Sequence, residues 1–587
     1  TQHTLRRKMK YCIDIETNGL LDTLDTVHCI VLKDIDSGKI TSCFGNDYKE
    51  LIAVIEKAEL LIGHNIMAFD IPALEKVLKV NYKGKVFDTL VATRLIWADI
   101  KERDFARTKK GFPTTMIGRH SLKAWGFRLG ILKDEIETDW QEFTIEMLEY
   151  CKQDVQVTHS LYKKIIEQNY SQQSLKLEHD IQRACIKMMN NGIGFDVKAA
   201  QDLNSNLKQI SNDLLIDLQK TFPPWKVETP FTPKVNNKAR GYVKGVPTVK
   251  VKEIEFNPGS RDHICNRLKA THNWKPKAFT ADGKAKMDEE ILSSLKYPEA
   301  KLLSKYFLVD KRLGMLAEGK QAWLKHETKN RIHGSINANG AVTGRATHSN
   351  PNIAQVPAPY APYGPECRAL FVAPKDKVLV GCDAASLELR MLAHYMSKYD
   401  NGKYADIVVN GDIHTHNQEM TGIETRTLTK TWTYTYLYGG GNAKLGQLLG
   451  KSAAEGKKIR EKFLANVPAM ANLQEDVQSR AERGYLFGLD KRKVPVRSTF
   501  SALNALLQSA GSILCKQWII ELEDMFDSET KLVGWIHDEI IIETTQQKVD
   551  DVSKRAVESI RTAGKKLQLR VETSGDARVG SNWAEIH

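Results

Sequence analysis

Three early stretches read as strands, Tyr11 to Ile15, Val27 to Lys33 and Ile40 to Phe44, and in the first of them apolar and polar residues alternate with a period of two. That period puts one face of a β-strand against a core. Strand-like and helix-like runs alternate to about residue 165, which predicts one α/β domain. From Ser171 to Asp217 the apolar positions follow a helical period, broken once at Asn190-Asn-Gly-Ile-Gly, and Pro223-Pro then opens a stretch rich in proline, glycine and lysine. Helical patterning resumes near Arg261 and continues to about Lys325. Two later apolar runs read as buried strands that end on acids: Lys377-Val-Leu-Val-Gly-Cys-Asp383, and Gly534-Trp-Ile-His537-Asp538-Glu539, which continues into Ile540-Ile-Ile.

Composition narrows the partners more than the fold. With 587 residues the chain is long enough for several domains with real cores. Its 85 basic and 72 acidic residues give a net charge of +13, which favours a polyanionic partner, although ordinary solubility charge gives the same sum. The nine cysteines fall singly, without the paired spacing of a zinc site or a disulfide framework, so a reducing cytosol is expected. No apolar stretch approaches the ~20 residues of a membrane span, and no hydrophobic region follows the basic N-terminus, so a soluble protein that is not exported is expected. Residues 226–252 hold seven basic residues and one acid, Glu228, with Phe231 and Tyr242 interleaved. Such a stretch reads equally as a disordered linker, a phosphate-tracking surface or a docking site.

The chemistry lies in the acids. Strands that end on Asp383 and on Asp538-Glu539 are how a sheet delivers metal-binding carboxylates to one point. Two Mg²⁺ about 3.5–4 Å apart between such groups suit in-line phosphoryl transfer. A second acidic set occupies the N-terminal domain. Asp14 and Glu16 project from one strand face, Asp70 follows Gly63-His-Asn65-Ile-Met-Ala-Phe69, and Tyr150 and Asp154 are helical neighbours at i and i+4. Four clustered carboxylates repel one another unless cations sit among them. The alternative is a set of solvated surface acids beside a core tyrosine.

Asp14, Glu16, Asp70, Asp154 and Tyr150, in that order, resemble the DEDDy subgroup of 3′–5′ exonucleases. That subgroup has a ribonuclease H-like fold, holds two metals and uses the tyrosine to orient the attacking hydroxide. The C-terminal half resembles family A DNA polymerases, most closely the replicative enzymes of T-seven-like phages. The motifs are Gly340-Ala-Val-Thr-Gly344-Arg345-Ala-Thr, Gly411-Asp-Ile-His414-Thr, Leu503-Asn504-Ala-Leu-Leu-Gln508-Ser and Asn582-Trp-Ala-Glu-Ile-His587. The resemblance implies an α/β multi-domain chain in which a ribonuclease H-like exonuclease domain precedes a right-hand polymerase. The implied segments are exonuclease at 1–166, thumb and part of the palm at 167–330 with a short basic insert at 222–256, palm at 331–395 and 504–587, and fingers at 396–503.

The fingers segment sets pattern against resemblance. In Thr425-Arg426-Thr-Leu-Thr-Lys430-Thr-Trp-Thr-Tyr434-Thr-Tyr-Leu-Tyr438 threonine recurs at every second position, which argues for a strand. The family places a helix here, on which Arg426, Lys430, Tyr434 and Tyr438 share one face. By resemblance Arg426 and Lys430, with His414, grip the triphosphate, and the two tyrosines stack on sugar and base. Glu388 pairs with Tyr438 against a ribose 2′-hydroxyl. Asp383 and Asp538 bind the catalytic metals with Glu539 in support, His537 lies near the primer end, and Arg345, Asn504 and Gln508 read the minor groove.

The resemblance also implies Mg²⁺ as cofactor, two ions at each active site with Mn²⁺ able to substitute. Primer–template DNA and dNTPs are the implied partners, helicase and primase contact follows from the family alone, and the implied location is the host bacterial cytoplasm. The basic insert is shorter than the segment with which the phage relatives bind host thioredoxin. That argues against thioredoxin and leaves another processivity protein or DNA itself as its partner. Two other classes are weighed: a single-subunit RNA polymerase, which should lack Glu388 and the N-terminal acids, and an exonuclease-only protein, which intact Asp383, Lys430 and Asp538 argue against.

Overall fold

The computed structural model describes residues 9–45, 47–109, 111–131, 136 and 138–587; the first eight residues, including the basic start, lie outside the described ones. Two compact units emerge. Thr1–Ile193, Gly334–Gln355 and Ala373–His587 form one, and Gly194–His333 with Val356–Val372 form the other. These units cut the chain differently from the five segments expected from sequence, since 167–193 joins the first unit and 356–372 the second.

The three early stretches form strands Lys10–Thr17, Val27–Asp34 and Ile40–Phe44. They pair antiparallel, and Leu60–Gly63 and Lys85–Asp88 extend the sheet in parallel beyond the first strand. Ile13 and Ile15 enter one apolar core. Cys12 enters another, shared with Leu148, Cys151 and Val155 of the helix Ile145–Glu167. The strand's period of two therefore turns Asp14 and Glu16 toward the helix that carries Tyr150 and Asp154.

The polymerase-like acids belong to a four-stranded antiparallel sheet in the same unit, in the order Lys531–Ile536, Glu539–Thr545, Lys377–Ala384, Gly575–Gly580. Its central strands are almost wholly buried, which explains their near-continuous apolar runs. The helix Ala502–Glu521 joins the same large core, contributing Leu507, Ile513, Leu514 and Trp518 among others.

A buried ionic cluster fixes the helix Gln172–Asn191 to this core. Glu178 Oε1 lies 2.5 Å from Lys516 Nζ and 2.7 Å from Arg492 Nη1, and Arg492 also pairs with Asp490 at 2.6 Å. All four side chains are at most 2% exposed, and the two acids balance the two cations. A buried charge survives only when paired in this way.

The threonine-alternating segment is a helix, Arg426–Leu437, as the resemblance implied and against its strand-like pattern. Thr429, Trp432, Thr433, Tyr436 and Leu437 face the core. Several threonines return their hydroxyls to the backbone four residues earlier, Thr429 to Thr425 O at 2.9 Å and Thr435 to Thr431 O at 2.8 Å. Tertiary burial and these bonds override the β-propensity.

In the second unit the basic stretch is ordered. Trp225–Phe231 and Thr248–Ile254 form an antiparallel hairpin, which removes the disordered-linker reading. The helix Val197–Thr221 precedes it and Arg261–His272 follows, with Leu218, Phe222, Phe256, Ile264 and Leu268 in a local core.

Candidate active sites

At the end of the C-terminal sheet, Asp383 lies in register with Glu539 on one side and Asp576 on the other. A two-residue turn, His537-Asp538, joins the strands on either side of it. His537 has φ +58°, a left-handed conformation that costs a non-glycine residue strain. Trp535 Nε1 donates to His537 O at 3.1 Å, and Ala384 N donates to Asp538 O at 3.0 Å, so both flanks of the turn are pinned. Burial, and then the charge of Glu388, push the Asp538 carboxyl up to about 6.

Glu539 is buried, and its two carboxylate oxygens accept from Trp583 Nε1 at 3.0 and 3.1 Å. His587 Nδ1 stands 3.5 Å from Glu539 Oε2 and 3.7 Å from Asp383 Oδ2. Ligand atoms of Asp383, Glu539 and His587 lie within 4.8 Å of one another, and Asp538 is not part of that triad. Sequence reasoning singled out Asn582 to His587 as a motif but gave Trp583 and His587 no role. Neither spacing nor periodicity could have brought residues so distant in the chain to Glu539.

Several of the residues singled out in the sequence line one cleft. Arg345, Glu388, Gln508, Cys515, Trp535 and His537 are among its walls. Asn504 sits one helical turn before Gln508 and accepts a 2.9 Å bond from its Nε2. Arg345 is aimed by the preceding turn: Gly344 has φ +84°, a methyl group there would come within 2.8 Å of Arg492 Nη1, and Gly344 O accepts from Ser512 Oγ at 2.6 Å. Only glycine fits such a position.

Tyr438, just past the end of the Arg426–Leu437 helix, donates to Glu388 Oε1 at 2.6 Å. Tyr434 lies 6.5 Å from Tyr438 and 6.1 Å from the His414 ring, centroid to centroid. His414 is buried, and its Nδ1 has no hydrogen-bond partner among the described residues. Burial, then Arg426 and Lys430, hold its imidazole below the usual range. Lys430 is exposed. Arg426 makes a two-pronged pair with Asp412, at 2.7 and 3.1 Å, which Asp412 combines with capping of the Ile413–Thr421 helix.

The second acidic set also converges. Ligand atoms of Asp14, Glu16 and Cys151 fall within 4.8 Å of one another, and the Cys151 thiol donates to Asp14 Oδ2 at 3.4 Å. Asp70 opens the helix Asp70–Leu78 and is held by the Ile15 backbone N–H between the two strand acids. Burial raises its carboxyl to about 7, with Asp88 and Asp154 adding to the shift. Asp154 is buried on the Ile145–Glu167 helix, one turn from Tyr150, whose ring meets Trp140 edge-on at 6.2 Å. Sequence reasoning missed Cys151, since a lone cysteine beside a motif carries no signal of its own.

These two acidic centres, one on a mixed sheet and one on an antiparallel sheet with a cation-bearing helix nearby, describe a nucleotidyltransferase with a second acidic site. The chain belongs to DNA polymerase family A, whose sequence profile matches residues 237–585. It is 34% identical to the DNA-directed DNA polymerases of Enterobacteria phage T3 and of Escherichia phage T7, over 98% of this chain and 99% of each relative. DNA polymerase I of Aquifex aeolicus is 22% identical over 98% of the chain. Among solved structures, the polymerase domain of Pol1 from M. smegmatis in complex with DNA primer-template and dNTP has the same fold, with a TM-score of 0.73 at 17% identity over 100% of this chain and 97% of that one. The protein is a DNA-directed DNA polymerase. DNA polymerases generally use divalent metal ions, and no helix among the described residues is long and apolar enough to cross a membrane.

Proposed function

We propose that Asp383, Asp538 and Glu539 form the polymerising centre and that Asp14, Glu16, Asp70 and Asp154, with Tyr150, form a separate 3′–5′ exonuclease centre that removes mispaired primer ends. The matching segments are exonuclease at 1–166, thumb and part of the palm at 167–330 with the basic insert at 222–256, palm at 331–395 and 504–587, and fingers at 396–503. The hard carboxylate donors in both centres suit Mg²⁺, two ions at each, with Mn²⁺ able to substitute. Asp538 and Asp70, whose carboxyls are pushed up to about 6 and about 7, are groups whose repulsion a cation would relieve. Bound there, such ions supply charge neutralisation for the attacking oxygen and the departing pyrophosphate.

The chain's own groups do the rest. Lys430 and His414 face the triphosphate, and Arg426 joins them by exchanging Asp412 for a phosphate oxygen. The primer 3′-oxygen bonds to the α-phosphorus as the bond to pyrophosphate breaks. Arg345, Asn504 and Gln508 hold the new pair by minor-groove acceptors common to all correct pairs, with His537 beside the primer end. In the other centre Tyr150 orients water toward the terminal phosphodiester. The observation that carries the nucleotide site is the Tyr438–Glu388 bond, since it closes the sugar side of the cleft that Arg345, Gln508 and His537 line. Primer–template DNA and dNTPs are the substrates, and the host bacterial cytoplasm is the place of action.

Extension of a 3′-recessed primer with Mg²⁺, run with dNTPs, with rNTPs and without nucleotide, tests both centres. Template-copied elongation with dNTPs alone and shortening without nucleotide are expected. Shortening in every lane would remove the polymerising role from Asp383 and Asp538.

A further inference from the structure

The hairpin of the second unit sorts its charges by face. Its register sets Val227 opposite Lys252, Thr229 opposite Lys250 and Phe231 opposite Thr248, so these side chains share one side of the ribbon. The other side pairs Lys226 with Glu253 and Glu228 with Val251, and so holds both of the ribbon's acids. The connecting loop adds Lys234, Lys238, Arg240 and Lys244 and no acid. Phe231, on the acid-free face, meets Tyr242 of the loop edge-on at 5.0 Å, which folds the loop toward that face.

The loop is braced in advance. Asn237 and Tyr242 exchange two backbone hydrogen bonds of 2.9 Å, Lys244 N donates to Asn236 Oδ1 at 2.7 Å, and Gly245 N donates to Pro233 O at 2.9 Å. Lys234, Lys238, Arg240, Lys244, Lys250 and Lys252 are all exposed, and none is in an ion pair among the described residues. Elsewhere in the same unit Lys284 and Lys286 are paired, with Asp262 at 3.2 Å and Asp288 at 2.9 Å. Six unneutralised cations on a rigid, one-sided support are arranged for a polyanion, because little order has to be created on binding.

We infer that this face and loop bind the phosphate backbone of the duplex DNA that the enzyme extends, without reading its sequence; the inference rests on the polymerase assignment. Phosphate contact needs cations and hydroxyls, which Lys250, Lys252, Thr229 and Thr248 supply. A protein partner would need an apolar centre to its interface, and the exposed valines are divided between this face (Val227), the opposite one (Val249 and Val251) and the loop (Val235, Val243 and Val246), whereas the cations share this face and the loop.

Equilibrium binding of the full chain to a 3′-recessed duplex, in a salt series without divalent metal, tests this. Lys250→Ala/Lys252→Ala and Lys238→Ala/Arg240→Ala/Lys244→Ala are expected to flatten the slope of log K against log salt by up to about 0.9 per phosphate contact removed. Lys226→Ala, on the acidic face, is expected to leave it unchanged. Equal slopes in wild type and the first two variants would overturn the inference and leave an acidic protein as the surface's partner. Equal flattening by Lys226→Ala would overturn it too, as a general charge effect. Single-nucleotide incorporation at saturating DNA, measured alongside, is expected in all of them; its absence from wild type would instead sink the polymerase assignment.

Discussion

The phenol of Tyr438 donates a 2.6 Å hydrogen bond to Glu388 Oε1, joining the end of the Arg426–Leu437 helix to the first turn of the helix that follows Asp383. In the proposed nucleotide site a ribose 2′-hydroxyl would meet the Tyr438–Glu388 pair, in which Oε1 is already engaged. Glu388→Ala is expected to raise ribonucleotide incorporation relative to deoxyribonucleotide by about 5–150-fold, the equivalent of about 1–3 kcal/mol for one lost buried polar contact. Competitive incorporation measures the ratio, and an unchanged ratio would remove Glu388 from sugar selection.

Lys430 is exposed and has no packing to lose. Lys430→Ala is therefore expected to leave the melting temperature within a degree or so while lowering kcat/KM by at least about 100-fold, the scale for one charge-stabilising donor. A small kinetic effect would mean that Lys430 does not reach the triphosphate.

Asp412 holds Arg426, the residue proposed to join the triphosphate. Asp412→Asn keeps a capping side chain for the Ile413–Thr421 helix but releases the guanidinium. The KM for dNTP is expected to fall. A rise would show that Asp412 positions Arg426 rather than withholding it.

Asp538 binds its proton more tightly in the folded chain than in the unfolded one, because its carboxyl is raised from 3.8 to about 6. Between those values the folded state holds more protons, so without metal Asp538 takes stability away as pH rises, and no more is lost above about pH 6. Asp538→Asn is thus expected to gain on wild type in chelator from pH 4 to 6 and then to level off. A melting-temperature difference that ignores pH would contradict this.

Trp583→Phe removes the single indole N–H that holds Glu539. Loss of one donor to a buried carboxylate costs about 1–3 kcal/mol, which urea unfolding would read as a lower midpoint. The metal concentration needed for half-maximal extension should rise in the same variant.

Much of the exonuclease centre is visible in the chain because its geometry is local. Asp14 and Glu16 share a strand face through the period of two, and Tyr150 and Asp154 share a helix face through i and i+4. The Arg426–Leu437 helix is not visible that way: its threonines mimic a strand, and only burial of Trp432 and Tyr436 against Phe463 makes the helix the better solution. Trp583 and His587, just past the strand Gly575–Gly580, reach Glu539, and Cys151, on a helix packed against the N-terminal sheet, reaches Asp14, through long-range packing that no local pattern encodes. The basic hairpin escaped for a different reason: valine alternates with lysine over 249–252, but both sides of the ribbon face solvent, so the alternation points to no core.

Among the described residues Glu178 finds its counter-charges only in Arg492 and Lys516, the second of them 338 residues further along the chain. A chain emerging from the ribosome therefore makes the Gln172–Asn191 helix long before the cations that balance it. The strand Lys377–Ala384 likewise waits for both of its neighbours, 539–545 and 575–580. The N-terminal sheet can close early from local pairings, whereas the polymerising half is assembled only when synthesis is nearly finished, so truncated products should keep a folded nuclease sheet and lack a formed palm.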